Sequence, residues 1–412
     1  MTADHRPMGE PVQIADVDLS DRRTFLDGPP WEYFAFLRRE HPVAWFDHVE
    51  ADGDGFWIVT KWDDVMAVER DPATFSSNLG GTMIEPLAGG VELMMLNQDP
   101  PRHTRLKLLV SRMFTPRHIR SIEQNIRVAA RDIVDGVIDR GSIDLVTEVS
   151  SDLPLIVIAE LLGIPADDRG MVRDWSNRMV GAEDPEYGVN AETAGMELYA
   201  YAEALARKRM ADPQEDVVTA LLTGEVDGER LDPLEFNLFF LLLAVAGNET
   251  TRNLITGGML ALIEHPDQRA RLLADPSLLP SAVEEMLRWV SPVNYFRRTA
   301  TGDTEIRGVP IATGEKVTLW YPAANRDEDQ FPDPEAFDVG RTPNEHVAFG
   351  GRGPHHCLGA NLARLEIQVL FEELLWRIPD MELAGPVERL RMNLINGIKH
   401  MPVTFTPGGA AL

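Results

Sequence analysis

The sequence predicts a mainly α-helical fold with small β sheets, arranged as one domain over residues 1–412. Three observations lead to this prediction. Apolar residues recur with helical spacing over most of the chain, strand-like runs are few and short, and no repeat, low-complexity tract or Gly/Ser linker divides it. Hydrophobic residues make up 44% of the 412 residues, which is enough for a large buried core.

The predicted elements run from short N-terminal pieces to a long central helix and a helical C-terminal part. Helical periodicity predicts helices over 30–40, 102–113, 116–140, 150–162, 193–211, 214–223, 233–264, 279–290 and 358–378. Apolar or alternating runs predict strands over 42–47, 55–60, 305–307 and 316–320, with a C-terminal pair near 390–407. Proline-rich coil occupies 322–356, and irregular segments of this length in compact folds tend to be functional.

The helix predicted at 233–264 has clear start and stop signals. Asp232, Pro233 and Glu235 provide an N-cap, a proline at the first helical position and a capping-box partner, and Pro266 ends the helix. Its 32 residues, at 1.5 Å each, span about 48 Å, long enough to cross a whole domain. The first half is apolar on nearly every face, so we expect it to be buried.

A polar segment, residues 246–253, interrupts this helix with the sequence AGNETTRN. An acid, two hydroxyls and two amides in a buried helix are costly unless their hydrogen bonds are satisfied. Two interpretations are equally supported by spacing alone: a polar network to neighbouring helices, or a polar gap in a helix wall that faces a reaction chamber. Gly247 would let a flat group approach the backbone closely.

Charge and cysteine content restrict the class of protein. The net charge of −27 argues against nucleic acid as a partner, and a single cysteine excludes an intrachain disulfide and fits a reducing compartment. The N-terminus shows no signal peptide and no apolar run of 18 residues predicts a membrane anchor. We therefore expect a cytoplasmic protein. Because no sequence feature indicates an oligomer, we expect a monomer.

One basic island stands out in this acidic chain. Residues 100–122 contain no Asp or Glu but hold Arg102, Arg105, Lys107, Arg112, Arg117 and Arg120. The island is interpretable as a solvated helix face, or as a docking site for an acidic partner or for acidic groups of a cofactor.

Cys357 lies in a loop rich in glycine and histidine, directly before a predicted helix. A thiolate at a helix N-terminus is stabilised by the helix dipole and free backbone N–H groups. A cysteine nucleophile, a zinc ligand and a thiolate ligand to haem iron are the chemical alternatives. The remaining alternative is an inert buried cysteine, which a glycine-rich loop disfavours.

This loop resembles the haem-binding loop of the cytochrome P-450 superfamily, because Gly353, His355, Cys357 and Gly359 match its pattern. Phe349 lies eight residues before the cysteine, where the usual pattern has seven. Further likenesses occur in the family's order. The 246–251 segment resembles the oxygen-activation motif, Glu285 and Arg288 the Glu-x-x-Arg motif, and Arg341 the arginine that completes that triad.

The resemblance implies the cytochrome P-450 fold, with the long central helix over haem b and Cys357 as the iron ligand. It implies a monooxygenase that inserts one oxygen atom of O2 into an apolar organic substrate, with Glu249 and Thr250 delivering protons. It also implies that Glu285, Arg288 and Arg341 form a structural triad. The residues implied to bind the haem are His103, Lys107, Gly247, Arg298, Phe349, Gly350, Arg352, His355, Cys357 and Gly359. Electrons would come from NAD(P)H through a separate ferredoxin reductase and ferredoxin, the latter docking on the basic island.

The sequence says less about the substrate. By resemblance, the pocket residues are Leu93, Met94, Val180, Leu243, Val245, Val293, Tyr295, Phe296 and Ile395. At 246–253 and 396–400 (NGIKH) the chain resembles actinobacterial enzymes that hydroxylate sterols, terpenoids or branched lipids. A tailoring oxidase of a polyketide or peptide pathway is the main alternative. A haem-binding sensor or carrier without turnover, and a hydrolase that uses Cys357, are alternatives of other classes.

Overall fold

The computed structural model describes residues 17–47, 55–85, 91–188, 190–226 and 228–409. Its helices are α1 (Trp31–Glu40), α2 (Trp62–Arg70), α3 (Arg102–Ser111), α4 (Pro116–Asp135), α5 (Asp152–Leu162), α6 (Arg169–Val180), α7 (Ala191–Ala211), α8 (Val217–Thr223), α9 (Pro233–Glu264), α10 (Pro266–Ala274), α11 (Leu279–Val290), α12 (Tyr321–Ala324) and α13 (Ala360–Arg377). The prediction of a mainly α-helical fold is confirmed.

Helix α9 runs through the middle of the molecule, and α5, α7, α11 and α13 pack against it. The predicted capping box is present: the Asp232 carboxylate accepts a hydrogen bond from the Glu235 N–H at 2.8 Å, and the Glu235 carboxylate accepts one from the Asp232 N–H at 3.0 Å. Buried residues occur on every face of α9, as its apolar first half predicts. This helix therefore serves as the axis of the helical core.

The strands are β1 (Val43–Phe46), β2 (Phe56–Val59), β3 (Phe75–Ser76), β4 (Ser142–Asp144), β5 (Glu225–Val226), β6 (Glu229–Arg230), β7 (Tyr295–Ala300), β8 (Thr304–Ile306), β9 (Val309–Ile311), β10 (Lys316–Trp320), β11 (Glu382–Leu383), β12 (Glu388–Arg389), β13 (Ile398–His400) and β14 (Pro402–Thr404). The largest sheet has the order β1-β2-β10-β7-β3. Its strands pair antiparallel except β2 and β10, which run parallel with Trp57 opposite Val317.

Three predictions from the sequence need correction. Helices α2, α6, α10 and α12 were not predicted, and neither were β7, an inner strand of the largest sheet, and the short strands β3, β4, β5, β6, β9, β11 and β12. The predicted C-terminal strands exist, but they are not partners: β13 pairs with β12, and β14 lies between β11 and β4. Predicted helix ends elsewhere agree within a few residues, except that α4 stops at Asp135 where the pattern predicts 140. A glycine at 136 caps that helix.

None of the helices in the described part of the chain has the combined length and apolar character that crossing a bilayer requires. The N-terminal stretch in which no signal peptide is predicted lies almost entirely outside the described residues.

Candidate active site

A cavity of about 1450 Å³, part of it open to solvent, lies between α9, α13 and the loop before α13. Ala246, Gly247 and Thr250 of α9 line it, and so do Cys357 and Gly359. The two sequence motifs that are far apart in the chain therefore meet at one cavity. The other predicted site residues that line it are His103, Lys107, Leu243, Val293, Phe296, Arg298, Phe349, Gly350 and His355.

Several predicted residues are not among those that line the cavity. They are Glu249, Arg352, Leu93, Met94, Val180, Val245, Tyr295 and Ile395. Arg352 is exposed and forms an ion pair with Glu345 at the surface. Tyr295 packs on Trp320 at 4.9 Å between ring centroids, in the core beneath the large sheet. The structure therefore gives these two residues surroundings other than the predicted ones.

The loop that carries Cys357, residues 347–359, is folded back on itself. The Cys357 N–H donates a hydrogen bond to the Phe349 carbonyl at 2.9 Å, and the His356 N–H donates to the Gly353 carbonyl at 3.0 Å. Gly353 is required by packing, because a Cβ there would lie 1.8 Å from the Glu69 carbonyl oxygen of α2. The loop is thus pressed against the end of α2, which fixes the position of the cysteine.

Phe349 and Arg364 join this loop to α13 and α11. The Arg364 guanidinium lies 4.6 Å from the centre of the Phe349 ring and forms an ion pair with Glu284 at 2.6 Å. Burial alone would raise the pKa of Glu284, but hydrogen bonds from Arg364 and His346 lower this pKa to about 2. The carboxylate is therefore ionised at neutral pH and holds both partners against the loop.

The Cys357 side chain is exposed towards the cavity. Desolvation by the surrounding protein atoms raises the pKa of its thiol, whereas a hydrogen bond from the Gly359 N–H and the charges of Lys107 and Arg364 lower it, and desolvation has the larger effect. A coordinated metal ion has the opposite effect on a thiol and favours the thiolate.

A basic group of side chains forms another part of the cavity wall. The rings of His103 and His355 lie 4.0 Å apart, and His355 Nε2 lies 3.2 Å from the Ser77 hydroxyl. Burial lowers the pKa of His103 to about 4 and that of His355 to about 2, so both are neutral at pH 7. Lys107 Nζ donates hydrogen bonds to the carbonyls of Pro354 and His356 at 2.9 and 2.6 Å.

These residues fit a haem. Among the described residues, the buried Nδ1 of His103 has no hydrogen-bond partner, which is a costly state that an acceptor in the cavity would relieve. Lys107 and Arg298 supply positive charge to the same cavity, as a haem with two carboxylate groups requires. Cys357 supplies the soft sulfur ligand that iron accepts. The donor set therefore matches both the carboxylates and the metal of this cofactor.

The polar segment of α9 has two different sets of contacts. The Thr250 hydroxyl donates to the Ala246 carbonyl at 2.8 Å and lies at the cavity. The buried Glu249 carboxylate instead accepts hydrogen bonds from the Ser176 hydroxyl at 3.1 Å and from Arg252. Arg252 in turn donates to the Asn177 side chain at 2.8 Å. The segment therefore fits both interpretations. Thr250 forms a polar gap in the helix wall that faces the cavity, and Glu249 belongs to a polar network that reaches α6.

Gly247 lines the cavity, but its missing side chain also matters for helix packing. A Cβ at this position would lie 3.0 Å from the Ile158 side chain of α5. The glycine thus permits close contact between α9 and α5, in addition to the approach of a flat group that the sequence suggests.

The triad of Glu285, Arg288 and Arg341 forms as the resemblance implies, and it is fully hydrogen-bonded. Arg288 donates to both Glu285 oxygens at 2.7 and 2.8 Å, and Arg341 Nε lies 3.1 Å from the same carboxylate. The remaining guanidinium donors bind carbonyls of Asn325, Pro332, Asp333, Pro334 and Ala336. The triad therefore holds the long coil that leads to the cysteine loop.

The sequence reasoning missed several polar side chains of the cavity wall, among them Glu69, Tyr321 and Glu366. Glu366 had a usable signal, because helical spacing places it on the same face of α13 as Leu362 and Ala363. It is buried, its Oε2 has no partner among the described residues, and burial raises its pKa well above 4.5. Glu69 and Tyr321 reach the cavity from distant parts of the chain and carry no local signal.

Comparisons with known proteins agree with this site. A family model described as Cytochrome P-450 matches residues 196–378. The chain is 43% identical to a steroid C26-monooxygenase of Rhodococcus jostii, over 94% of this chain and 84% of that protein. It is 44% identical to a methyl-branched lipid omega-hydroxylase of Mycobacterium bovis, over 96% of each chain.

A solved structure extends the likeness to the whole fold. A Mycobacterium marinum cytochrome P-450, determined in complex with pseudoionone, superimposes with a TM-score of 0.90 and 39% sequence identity, over 98% of this chain and 100% of that one. Together with the sequence relatives, this similarity covers both the cavity and the helices around it. The chain belongs to the cytochrome P-450 family of haem-thiolate monooxygenases.

Proposed function

We propose that this monooxygenase hydroxylates a sterol or a methyl-branched lipid, with haem b held by Cys357. The observation that carries the proposal is the shared cavity of Cys357 and Thr250, whose wall is otherwise largely apolar. Its apolar members include Met95, Leu96, Leu242, Leu243, Val293 and Phe296. Apolar walls with few polar groups suit a lipid-like ligand, and the two relatives named above are hydroxylases of such molecules.

Different residues of the cavity would hold the iron and the carboxylates of the haem. Cys357 would hold the iron, and the Gly359 N–H would donate a hydrogen bond to its sulfur. Lys107, Arg298, His103 and His355 would receive the haem carboxylates. The haem, when bound, supplies the activation of dioxygen, for which an anionic thiolate ligand donates electron density.

Thr250 would position a proton donor at the reaction centre, and Glu249 would supply the next proton to that donor. Thr250 lies at the cavity, and within the described parts of the chain its hydroxyl is held by the Ala246 carbonyl one turn earlier, so it can turn towards a ligand. Glu249 is the adjacent residue, but its carboxylate is directed to Ser176 and Arg252. Proton transfer from Glu249 would therefore require its contacts with Ser176 or Arg252 to loosen.

Replacing Thr250 by alanine should uncouple NAD(P)H consumption from product formation. Without the hydroxyl, we expect hydroxylated product per NAD(P)H consumed to fall by about 10²-fold, the lower end of what positioned proton donors contribute. The measurement is product yield against NAD(P)H oxidation in the reconstituted system. Thr250→Ser keeps the hydroxyl and should restore most of the yield. Equal yields in Thr250→Ala and wild type would contradict this role.

Electrons would arrive from NAD(P)H through a ferredoxin reductase and a ferredoxin. The exposed residues of the basic island include Arg105 and Leu108 of α3, Arg112 directly after this helix and Arg117 at the start of α4, and Leu108 is 64% exposed. The buried side of α3 carries Lys107, which binds the cysteine loop. An acidic partner on this surface would therefore sit next to the iron ligand. Arg102 forms an ion pair with Glu235, which partly neutralises its charge.

Charge reversal at Arg112 should weaken this encounter. We expect Arg112→Glu to slow association with ferredoxin about tenfold at low salt, and the difference should shrink as salt screens the charges. Stopped-flow reduction at several ionic strengths measures it. Arg112→Lys should behave like wild type, and so should Arg207→Glu, which reverses an exposed charge on α7. An unchanged rate for Arg112→Glu would exclude this residue from docking.

Titration of the purified haem protein with sterols, methyl-branched fatty acids, terpenoids and aromatic polyketides tests the substrate proposal. A Soret shift to high spin with sterols or branched lipids, followed by hydroxylated product, is the expected result. A response to polyketides alone would favour a tailoring oxidase. Ligand binding without turnover, with electrons supplied, would indicate a sensor or carrier. Protein that takes up no haem would overturn the proposal altogether.

A further inference from the structure

A buried carboxylate, Glu69, lies at the wall of the cavity among the groups that would receive the haem carboxylates. Its two oxygens have different partners: Arg298 Nη2 at 2.9 Å and the Tyr321 hydroxyl at 2.5 Å. All three side chains line the cavity and are nearly inaccessible, with relative exposures of 3% or less. A negative charge at this place opposes the function expected of the wall, so it requires an explanation.

The position of Glu69 is fixed by the cysteine loop. A Cβ at Gly351 would lie 2.7 Å from the Glu69 Cβ, and one at Gly353 would lie 1.8 Å from its carbonyl oxygen. Glu69 therefore sits where the loop of the iron ligand packs on the end of α2. The loop thus fixes the backbone and Cβ of this residue, and its carboxylate is held between Arg298 and Tyr321.

The pairing changes the charge that this wall presents. Lys107 and Arg298 are the cations of the described wall, and Lys107 already donates to two carbonyls of the cysteine loop. Glu69 cancels the charge of Arg298. A buried charge near a redox centre is poorly screened, so it stabilises or destabilises the reduced state directly.

We infer that Glu69 is a positioning residue that holds Arg298 against the haem carboxylates and, by cancelling its charge, keeps the reduction potential of the haem low. Reduction adds an electron to the haem, and a nearby negative charge opposes that addition. Tyr321 donates to the carboxylate and keeps it oriented, without changing its charge. The inference rests on the haem site proposed above.

Spectroelectrochemical titration of the ferric–ferrous couple in the holoenzyme tests it. For E69Q we expect the equilibrium constant for reduction to rise on the order of tenfold, which is about 59 mV for a one-electron couple. Y321F removes a hydrogen bond but keeps the charge, so its potential should not rise. E203Q, the same exchange at an exposed pair on α7, should match wild type.

The outcomes separate the alternatives. An E69Q potential equal to wild type, or equal rises in E69Q and Y321F, would overturn the inference and leave Glu69 with a packing role. If E69Q takes up no haem, the double variant E69Q/R298Q is measured instead. It removes one negative and one positive charge, so the net charge of the cavity wall stays the same. A wild-type potential in the double variant then supports the inference, and a potential clearly below wild type opposes it. Wild-type protein that binds no haem would instead refute the proposed site.

Discussion

Replacement of Cys357 by serine is expected to abolish hydroxylation, down to the background of protein-free controls. The change is nearly isosteric, so the contacts of the loop should persist. A hydroxyl is a hard, weakly acidic ligand that does not replace a thiolate on iron. The variant should therefore bind haem more weakly and lose the thiolate-specific Soret band of its carbon monoxide complex. Product formation at the wild-type rate in Cys357→Ser would rule out the assignment of the iron ligand.

Thiol reactivity gives a check that does not depend on turnover. Because Cys357 is the only cysteine in the chain, uptake of a thiol reagent reports on this residue alone. Its side chain is exposed towards the cavity, so haem-free protein should react with one equivalent. Haem-loaded protein should be protected. Equal labelling rates with and without haem would mean that the iron is held elsewhere.

The second large effect is expected at Glu285, whose side chain is completely buried between two guanidinium groups. Glu285→Gln keeps the size of the side chain but removes the charge that balances Arg288 and Arg341. Breaking a buried ion pair by removing one partner typically costs about 3–5 kcal/mol. We therefore expect the free energy of unfolding to fall by about this amount. The coil held by both arginines should loosen, and haem retention should fall with it.

Denaturant unfolding, together with the rate of haem transfer to apomyoglobin, measures this effect. The matched control is Glu203→Gln on α7, where the pair with Arg207 is exposed and its N–O distance is 3.9 Å. Exposed pairs contribute less than about 1 kcal/mol, so this control should unfold like wild type. A similar decrease in the free energy of unfolding in the two variants would show that the buried triad contributes no more to stability than an exposed ion pair.

Local signals explain which elements the sequence predicts well. Helix α9 begins and ends where its capping box and Pro266 place it, because those interactions involve neighbouring residues. Strand β7 was missed because its sequence, YFRRTA, contains two arginines. In the fold, Arg298 is compensated by Glu69, a partner 229 positions away. Such a distant partner leaves no periodic trace in a single sequence.

The same limit applies to the pocket wall. Neighbouring residues on a strand point to opposite faces, so Phe296 lines the cavity while Tyr295 packs into the core beneath the sheet. The family resemblance identifies the strand that lines the pocket, but it does not show which of the two faces of that strand points towards the pocket. On α9, likewise, Leu243 lines the cavity and Val245 does not. The cysteine loop was predictable because its residues and their spacing are determined by one ligand.

The parallel pairing of β2 with β10 has a consequence for biosynthesis. Trp57 finds its partner Val317 only after most of the chain has left the ribosome. The end of α2 likewise packs on a loop that follows residue 347. Closing loops of this length is entropically costly and slow. The largest sheet and the packing of α2 on the cysteine loop can therefore be completed only after residues of the C-terminal third have been translated.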